Sequence, residues 1–457
     1  MTLDRRRLFA AFTGAAGAAV ASPALARPAQ QTEALPSRGI DAAALGLRPN
    51  AAEDQSKALQ RAIDTAAAAR VELHLPSGRY RASNLKLPSY ATITGASGTT
   101  HIVLSAGTNL MTATDGEHIR LSGLVLDGGS VPLPQQSGLI HFAQVRALRI
   151  ADCEIVNAGG NAIALEGAEG EVTGNTISAA AAAAIFSLDA QGLTISGNHV
   201  RSAGNNGILV WRNAPGDDGT LVIDNRIENI ANKAGGSGQY GNAVNVFRAA
   251  NVIVRGNRIR NAAFSAVRGN AASNLQIVGN TCTGSGEVAL YAEFGFEGAL
   301  IANNIVDGAA LGISVTNFNH GGRLAVVQGN LIRNIVARRP AGTDPNDASG
   351  IGIGVEADTA VSGNVIENAA HAGIAAGWGA YLRDVAISSN IVRGTDYGIT
   401  VSVAPGAGAS VIADNLISGA RRGAIVGMEW TNPVTGDLAT EGAARYAQLS
   451  ISGNRVR

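Results

Sequence analysis

One short phrase recurs along this chain and governs what it can fold into. It consists of an apolar-x-apolar run, a spacer, an asparagine, any residue and another apolar residue. It reads Val172-Thr173-Gly174-Asn175-Thr176-Ile177 and Ile195-Ser196-Gly197-Asn198-His199-Val200. It returns around Asn225, Asn257, Asn280, Asn304, Asn330, Asn364, Asn390, Asn415 and Asn454. Successive asparagines lie 23, 27, 32, 23, 24, 26, 34, 26, 25 and 39 residues apart. A weaker copy, Ile150 to Ile155, has Cys153 in the asparagine's place, and another covers Leu121 to Leu126. A second phrase follows each asparagine: Gly207-Ile208-Leu209-Val210, Gly312-Ile313-Ser314-Val315, Gly398-Ile399-Thr400-Val401. All these runs are short, alternating and β-branched, with glycine or asparagine between them, which predicts three strands per unit and no helical period. A unit of 23 residues is too short for a propeller blade and lacks the helix of most leucine-rich or ankyrin units. Stacking like strands in parallel gives a β-helix.

Each asparagine is expected in a one-residue corner, where its tolerance of left-handed geometry is useful. Stacked at about 4.8 Å per coil, the amides can hydrogen-bond up and down the column as a ladder. Composition agrees. The 457 residues include 58 glycines for corners, and only 4% are aromatic, so coils must be narrow and filled by aliphatic side chains. With 35 basic and 35 acidic residues, no polyanion-binding stripe is present, which argues against nucleic acid.

The N-terminus reads as an address. Arg5-Arg6-Arg7 precede Leu8-Phe9, an Ala/Gly run and Ala24-Leu25-Ala26, the order of a cleaved signal peptide. No later stretch reaches 18 apolar residues, so no membrane span is expected in the mature chain. Next, residues 53–69 place Ala58, Leu59, Ala62, Ile63 and Ala66 on one face of an amphipathic helix that would lid the first coil.

On this ladder the chain resembles the right-handed parallel β-helix of the pectate lyase and polygalacturonase superfamily. The order Asp41–Gly46, then Asp54–Asp64, then Val71–Tyr80 ending in Leu75-Pro76-Ser77-Gly78-Arg79-Tyr80 is similar to that superfamily's helical entry. The paired arginines with the ladder resemble the family of twin-arginine-translocated repetitive proteins, whose activity is undefined. The expected fold is therefore all-β: a right-handed parallel β-helix with three strands per coil and a capping helix. Its divisions are a twin-arginine signal at 1–26, a cap at 27–90 and a β-helix at 91–457. The resemblance implies the twin-arginine export machinery as a partner and a periplasmic or secreted monomer. It transfers no catalytic residue, because the motifs of the superfamily's enzymes do not occur.

Cys153 and Cys282 lie five coils apart, about 24 Å, and a disulfide needs Cα atoms within about 7 Å. They are expected free and buried.

Insertions flank the Gly-Ile-x-Val strand, at 213–219, 231–242, 317–322, 336–349 and 429–446. Loops that vary on one face of a solenoid wall a binding face. Alternation then sends outward Trp211 with Arg212, Asn245 and Phe247 with Arg248, and Arg268 and Asn270. Tyr291 and Glu293, Thr316 and Glu356 continue the column. His320 reaches in from a loop, and Trp378 and Trp430 stand at strand exits. Aromatic faces and arginine forks suit an extended, acidic or neutral polysaccharide. Arg268, Tyr291, Glu293 and Glu356 are the catalytic candidates. Tyr291, Arg268 or His320 would be the base of a lyase or epimerase. Glu293 and Glu356, two coils or roughly 9.6 Å apart, would suit an inverting hydrolase. Outward Arg and Glu on adjacent strands equally suit plain cross-strand pairs, leaving a non-catalytic scaffold or carbohydrate-binding protein open. No metal or other cofactor is expected from the histidine spacing; Asp217-Asp218 alone would admit Ca²⁺.

Overall fold

The structure, a computed structural model, describes residues 39–341, 343–344 and 347–457. Met1–Ala26, the expected signal, lies outside the described residues. The described residues coil through three sheets of 16, 15 and 15 strands. Consecutive coils contribute consecutive strands to each sheet, paired in parallel.

The inward side of each sheet is aliphatic. In the sheet of the Gly-Ile-x-Val phrase one column runs Ile185, Ile208, Val244, Val267, Leu290 and Ile313. In the sheet after the asparagine another runs Ile177, Val200, Ile227, Ile259, Cys282 and Val306. Fully burying one such side chain is worth about 1.5–3 kcal/mol, and every coil repeats the gain.

The asparagine ladder spans the corner between the other two sheets. Asn198 Oδ1 accepts from both the backbone N–H and Nδ2 of Asn175, each at 3.0 Å, while Asn175 Nδ2 also donates to the Ile150 carbonyl at 2.9 Å. The pattern repeats to Asn454. The left-handed residue is not the asparagine but the one before it: Gly174 at φ 67°, Gly197 at 63°, Asp224 at 56° and Asn303 at 58°. The reason is geometric. The asparagine must aim its amide inward along the axis, so the reversal falls on its neighbour. Glycine supplies that reversal at least steric cost.

The helix Ser56–Ala68 buries Leu59, Ala62, Ile63, Ala66 and Ala67. At the other end, Asn432–Asp437 pairs antiparallel with Gly423–Glu429. Asp437 accepts from the Ala424 and Ile425 N–H groups at 2.8 and 3.1 Å and caps the short helix Leu438–Glu441. The insertion at 429–446 thus closes the edge of the sheet rather than simply walling its face. Both cysteines are free and buried.

Candidate functional site

The outward column of the Gly-Ile-x-Val sheet follows the register that alternation implies. Leu209 pairs with Asn245, Asn245 with Arg268, Arg268 with Tyr291 and Tyr291 with Ser314. Trp211 pairs with Phe247, Phe247 with Asn270, and Asn270 with Glu293.

At its centre the charges satisfy one another. Arg268 Nε donates to Glu293 Oε1 at 2.6 Å and Nη2 to Oε2 at 3.0 Å, a two-pronged pair. Asn270 Nδ2 adds a third donor to Glu293 at 2.9 Å. Arg268 Nη1 donates to Glu287 at 3.3 Å, and Glu287 accepts from Arg339 Nη2 at 3.1 Å. The Arg268 guanidinium lies over Tyr291, 5.0 Å from its centroid. Burial raises the Glu287 carboxyl above its ordinary value, and the two arginines hold it back only in part. Burial and the neighbouring Glu293 carboxylate also push the Tyr291 phenol well up. Glu287 and Arg339 did not stand out in the sequence. Their signal would have been charge in an otherwise sparsely charged chain: a glutamate at a strand entrance and an Arg338-Arg339 pair inside an insertion.

Three cavities line the face. The first, about 350 Å³, lies between Gly159-Gly160, Ala181–Ala183 and Trp211. Its outer wall is the loop 128–137, an insertion that sequence reasoning passed over although it separates Leu126 from the next strand. The second, about 380 Å³, shares Trp211 and is bounded by Gly238, Phe247 and Arg268. The third, also about 380 Å³, is lined by Tyr291, Thr316, Arg339, Asp347, Glu356 and Trp378. Ser237, Gly238 and Gln239 of one insertion and Arg339, Asp347 and Ala348 of another form walls, Arg339 being held by Glu287. Gly238 is needed for its wall: a Cβ there would sit 2.0 Å from Arg268 Nη1.

Aromatic side chains stand at both ends. Trp211 makes edge contacts with Phe186 and Phe247, each at 5.7 Å, and its Nε1 donates to Asn245 at 2.9 Å. Trp378 and Trp430 meet at 5.5 Å and are 40% and 49% exposed. Trp430 sits in the turn of the closing hairpin and touches Tyr381 as well.

Glu356 occupies the third cavity. Burial raises its carboxyl, opposed by donation from the Phe318 N–H at 2.7 Å. Glu293 lines none of the three cavities; its oxygens are engaged by Arg268 and Asn270. Glu293 and Glu356 are therefore not brought together around one open space. Arg248 lies on the Phe247 ring at 4.7 Å and donates to the Asn213 carbonyl. Arg212 turns away, donating to the Ala190 carbonyl at 3.3 Å and approaching Asp218 at 4.0 Å. His320 is exposed on a short turn of 3-10 helix, against Phe294 at 5.6 Å. Asp217 accepts from Asn251, and Asp218 accepts from the Thr220 N–H. Among the described residues no three His, Cys, Asp or Glu side chains are grouped to hold a metal ion.

A family model described as a right handed beta helix region matches residues 92–227 and 213–383. No curated protein matches the chain. Among solved structures, the N-terminal fragment of bacteriophage phi29 gene product 12 is similar with TM-score 0.50 at 15% identity, over 92% of this chain and 70% of that one. PfbA, a surface adhesin of Streptococcus pneumoniae, gives TM-score 0.48 at 14% identity, over 87% and 95%. The catalytic unit of a thermostable GH87 alpha-1,3-glucanase from Streptomyces thermodiastaticus strain HF3-3 gives 0.44 at 14%, over 92% and 69%. At such identities the likeness is one of fold.

Proposed function

The chain belongs to the right-handed β-helix family, and from the face just described we propose that it binds an extended polysaccharide and acts on it through Glu356. The observation that carries this reading is the run of three walled cavities with aromatic side chains at each end. From Trp211 to Trp378 is six coils, about 29 Å at 4.8 Å per coil, which is room for several sugar rings in a row. Indole and phenyl faces give such rings apolar contact, while the amides between them meet hydroxyls.

Glu356 has the surroundings of a general acid. Its raised carboxyl stays protonated into a range where an ordinary glutamate is ionised, so it can give a proton to a departing glycosidic oxygen. Asp347, which pairs with Arg339 at 3.7 Å, lines the same cavity and is the candidate for the second carboxylate a hydrolase needs. Tyr291, its phenol neutral, is a hydrogen-bond donor rather than a base, and Arg268 and Glu293 position the floor between them. Thr316, beside Tyr291, helps to orient it.

The experiment is a screen of purified protein on neutral and uronate glycans, following reducing ends and the absorbance of unsaturated sugars. General acid catalysis contributes about 10²–10⁴ in rate, so Glu356→Gln should lose that much of any activity while retaining binding. Binding without turnover by the parent protein would leave a carbohydrate-binding protein. That second reading is favoured by one observation, the mutual satisfaction of Arg268 and Glu293.

The same proposal includes export. Met1–Ala26 would be a twin-arginine signal and 27–90 the cap of a β-helix over 91–457, released as a periplasmic or secreted monomer of the twin-arginine-translocated repeat family. Replacing Arg5–Arg7 by lysines should hold the protein in the cytoplasm. Among the described residues no helix is long and apolar enough to cross a membrane.

A further inference from the structure

We infer that the cavity beside Trp211 is a subsite for an uncharged pyranose, so that the glycan is neutral rather than a polyuronate; this rests on the groove reading above. The first observation is composition. No Asp, Glu, Lys, Arg or His lines this cavity of about 350 Å³. Ligand sites of this size fix orientation with a few polar groups set in an apolar wall. The wall here is Phe186, Leu209 and Trp211, an outer hydrophobic cluster separate from the core. The floor is glycine and alanine because the loop 128–137 crosses it closely: a Cβ on Gly159 would sit 1.9 Å from the Val131 carbonyl.

The polar groups are amides and two hydroxyls, that of Ser137, engaged by Asn109 and His141, and that of Tyr240; none carries a charge. Asn161 and Asn206 are spent on the backbone, donating to the Ser137 and Gln239 carbonyls and accepting from Ala183 and Asn242 N–H groups. Gln135 and Gln136 are exposed at the rim. An amide both donates and accepts, as a sugar hydroxyl does, and it offers a carboxylate no counter-charge.

The second observation is the charge balance farther along. Arg268 and Arg339 are the arginines of the other two cavities, and Glu287 and Glu293 offset both. Asp347 also pairs with Arg339, at 3.7 Å, and Glu356 lines the same cavity. A polyuronate, with one carboxylate per sugar, would meet acid and no uncommitted base. Arg248 is the exception in the neighbourhood. It lines none of the three cavities, resting instead on the outside of Phe247.

Titration calorimetry of the purified chain with neutral gluco-, manno- and galacto-oligosaccharides, and with oligogalacturonate and oligomannuronate, tests this. A neutral series should bind, and the uronates about 100-fold more weakly or not at all. Ala181→Trp, at an exposed floor position, should weaken the neutral ligand about tenfold or more by filling the cavity. Gln135→Ala, at an exposed rim position with little bearing on folding, should weaken it about threefold to tenfold. Preferred binding of an oligouronate, lost in Arg248→Ala, would overturn the inference and leave the groove reading intact. Neutral binding indifferent to both cavity variants would overturn the subsite in the same way. Binding of neither class would overturn the groove reading itself, and this inference with it.

Discussion

Arg268 grips Glu293 with two parallel hydrogen bonds, 2.6 Å from Nε and 3.0 Å from Nη2, although the two residues belong to different columns of adjacent coils. Register opposes Arg268 to Tyr291 and Asn270 to Glu293. The contact is therefore a diagonal, which the long arginine spans by lying across the tyrosine ring. Both side chains are buried, so each offsets part of the other's desolvation cost.

From that dependence comes the first expectation. Breaking a buried pair by removing one partner typically costs about 3–5 kcal/mol, and Glu293→Ala should fall in that range by urea unfolding. Arg268→Met combined with Glu293→Ala should recover part of the loss, giving a coupling energy of about 1–3 kcal/mol. Additive effects would mean that the pair is not coupled as the geometry requires.

The ladder makes a graded prediction. Asn257 Oδ1 accepts from Asn225, and its Nδ2 donates to Asn280 and to the Val222 carbonyl. Asn257→Ala would orphan several buried groups at roughly 1–3 kcal/mol each. Asn454 ends the ladder half-exposed, where water can replace what is lost. Asn454→Ala should cost under about 1 kcal/mol. Equal losses at both positions would remove the ladder from the account of stability.

Strand order, outward register and the asparagine column were legible in the sequence because a parallel coil copies each position onto the next at constant offset. Leu209, Asn245, Arg268 and Tyr291 lie where alternation puts them. What was not legible depends on loop paths. Arg339 reaches Glu287 from 52 residues away through an insertion whose course no periodicity fixes. The diagonal grip on Glu293 depends on rotamers, and the loop 128–137 becomes a wall only because Gly159 lets its backbone cross. The shift of left-handed geometry from Asn175 to Gly174 was hidden for another reason: both residues tolerate it, and only the ladder's aim decides between them.

Glu356 gives a pH signature. Its folded carboxyl is raised above the unfolded value by burial. The protonated form is thus favoured by folding. Its contribution to stability is fully present below the ordinary carboxyl range and is lost as pH rises through the raised value. Glu287 shifts in the same direction. Thermal midpoints of the parent protein should therefore fall across the window just above the ordinary carboxyl range. Glu356→Gln, which cannot ionise, should flatten part of that fall, leaving the shares due to Glu287 and to Asp218, whose carboxyl burial also raises. An unchanged slope in the variant would show that Glu356 is not held in its acid form.

The two cysteines allow the ladder to be extended. Cys153 stands at a ladder position: its N–H donates to Asn175 Oδ1 at 3.0 Å, as an asparagine's would, but its thiol gives nothing upward. Burial pushes that thiol up to about 11, and the Cys282 thiol to about 12. Neither should react with a thiol reagent until the chain unfolds, when both should. Cys153→Asn would place an amide beside Asn175 Oδ1, which already accepts the backbone N–H of residue 153 and has room for a second donor, as Asn198 Oδ1 takes two from Asn175. Each added bond is worth about 0.5–1.5 kcal/mol, so the variant should unfold at higher urea with an unchanged slope. Cys282→Val makes the contrast, because Ile259 and Val306 flank Cys282 in a purely aliphatic column. A near volume-conserving swap there should change stability by under about 1.5 kcal/mol. If Cys153→Asn destabilises the fold while Cys282→Val does not, position 153 is too narrow for an amide, and the ladder ends at Asn175 for steric reasons.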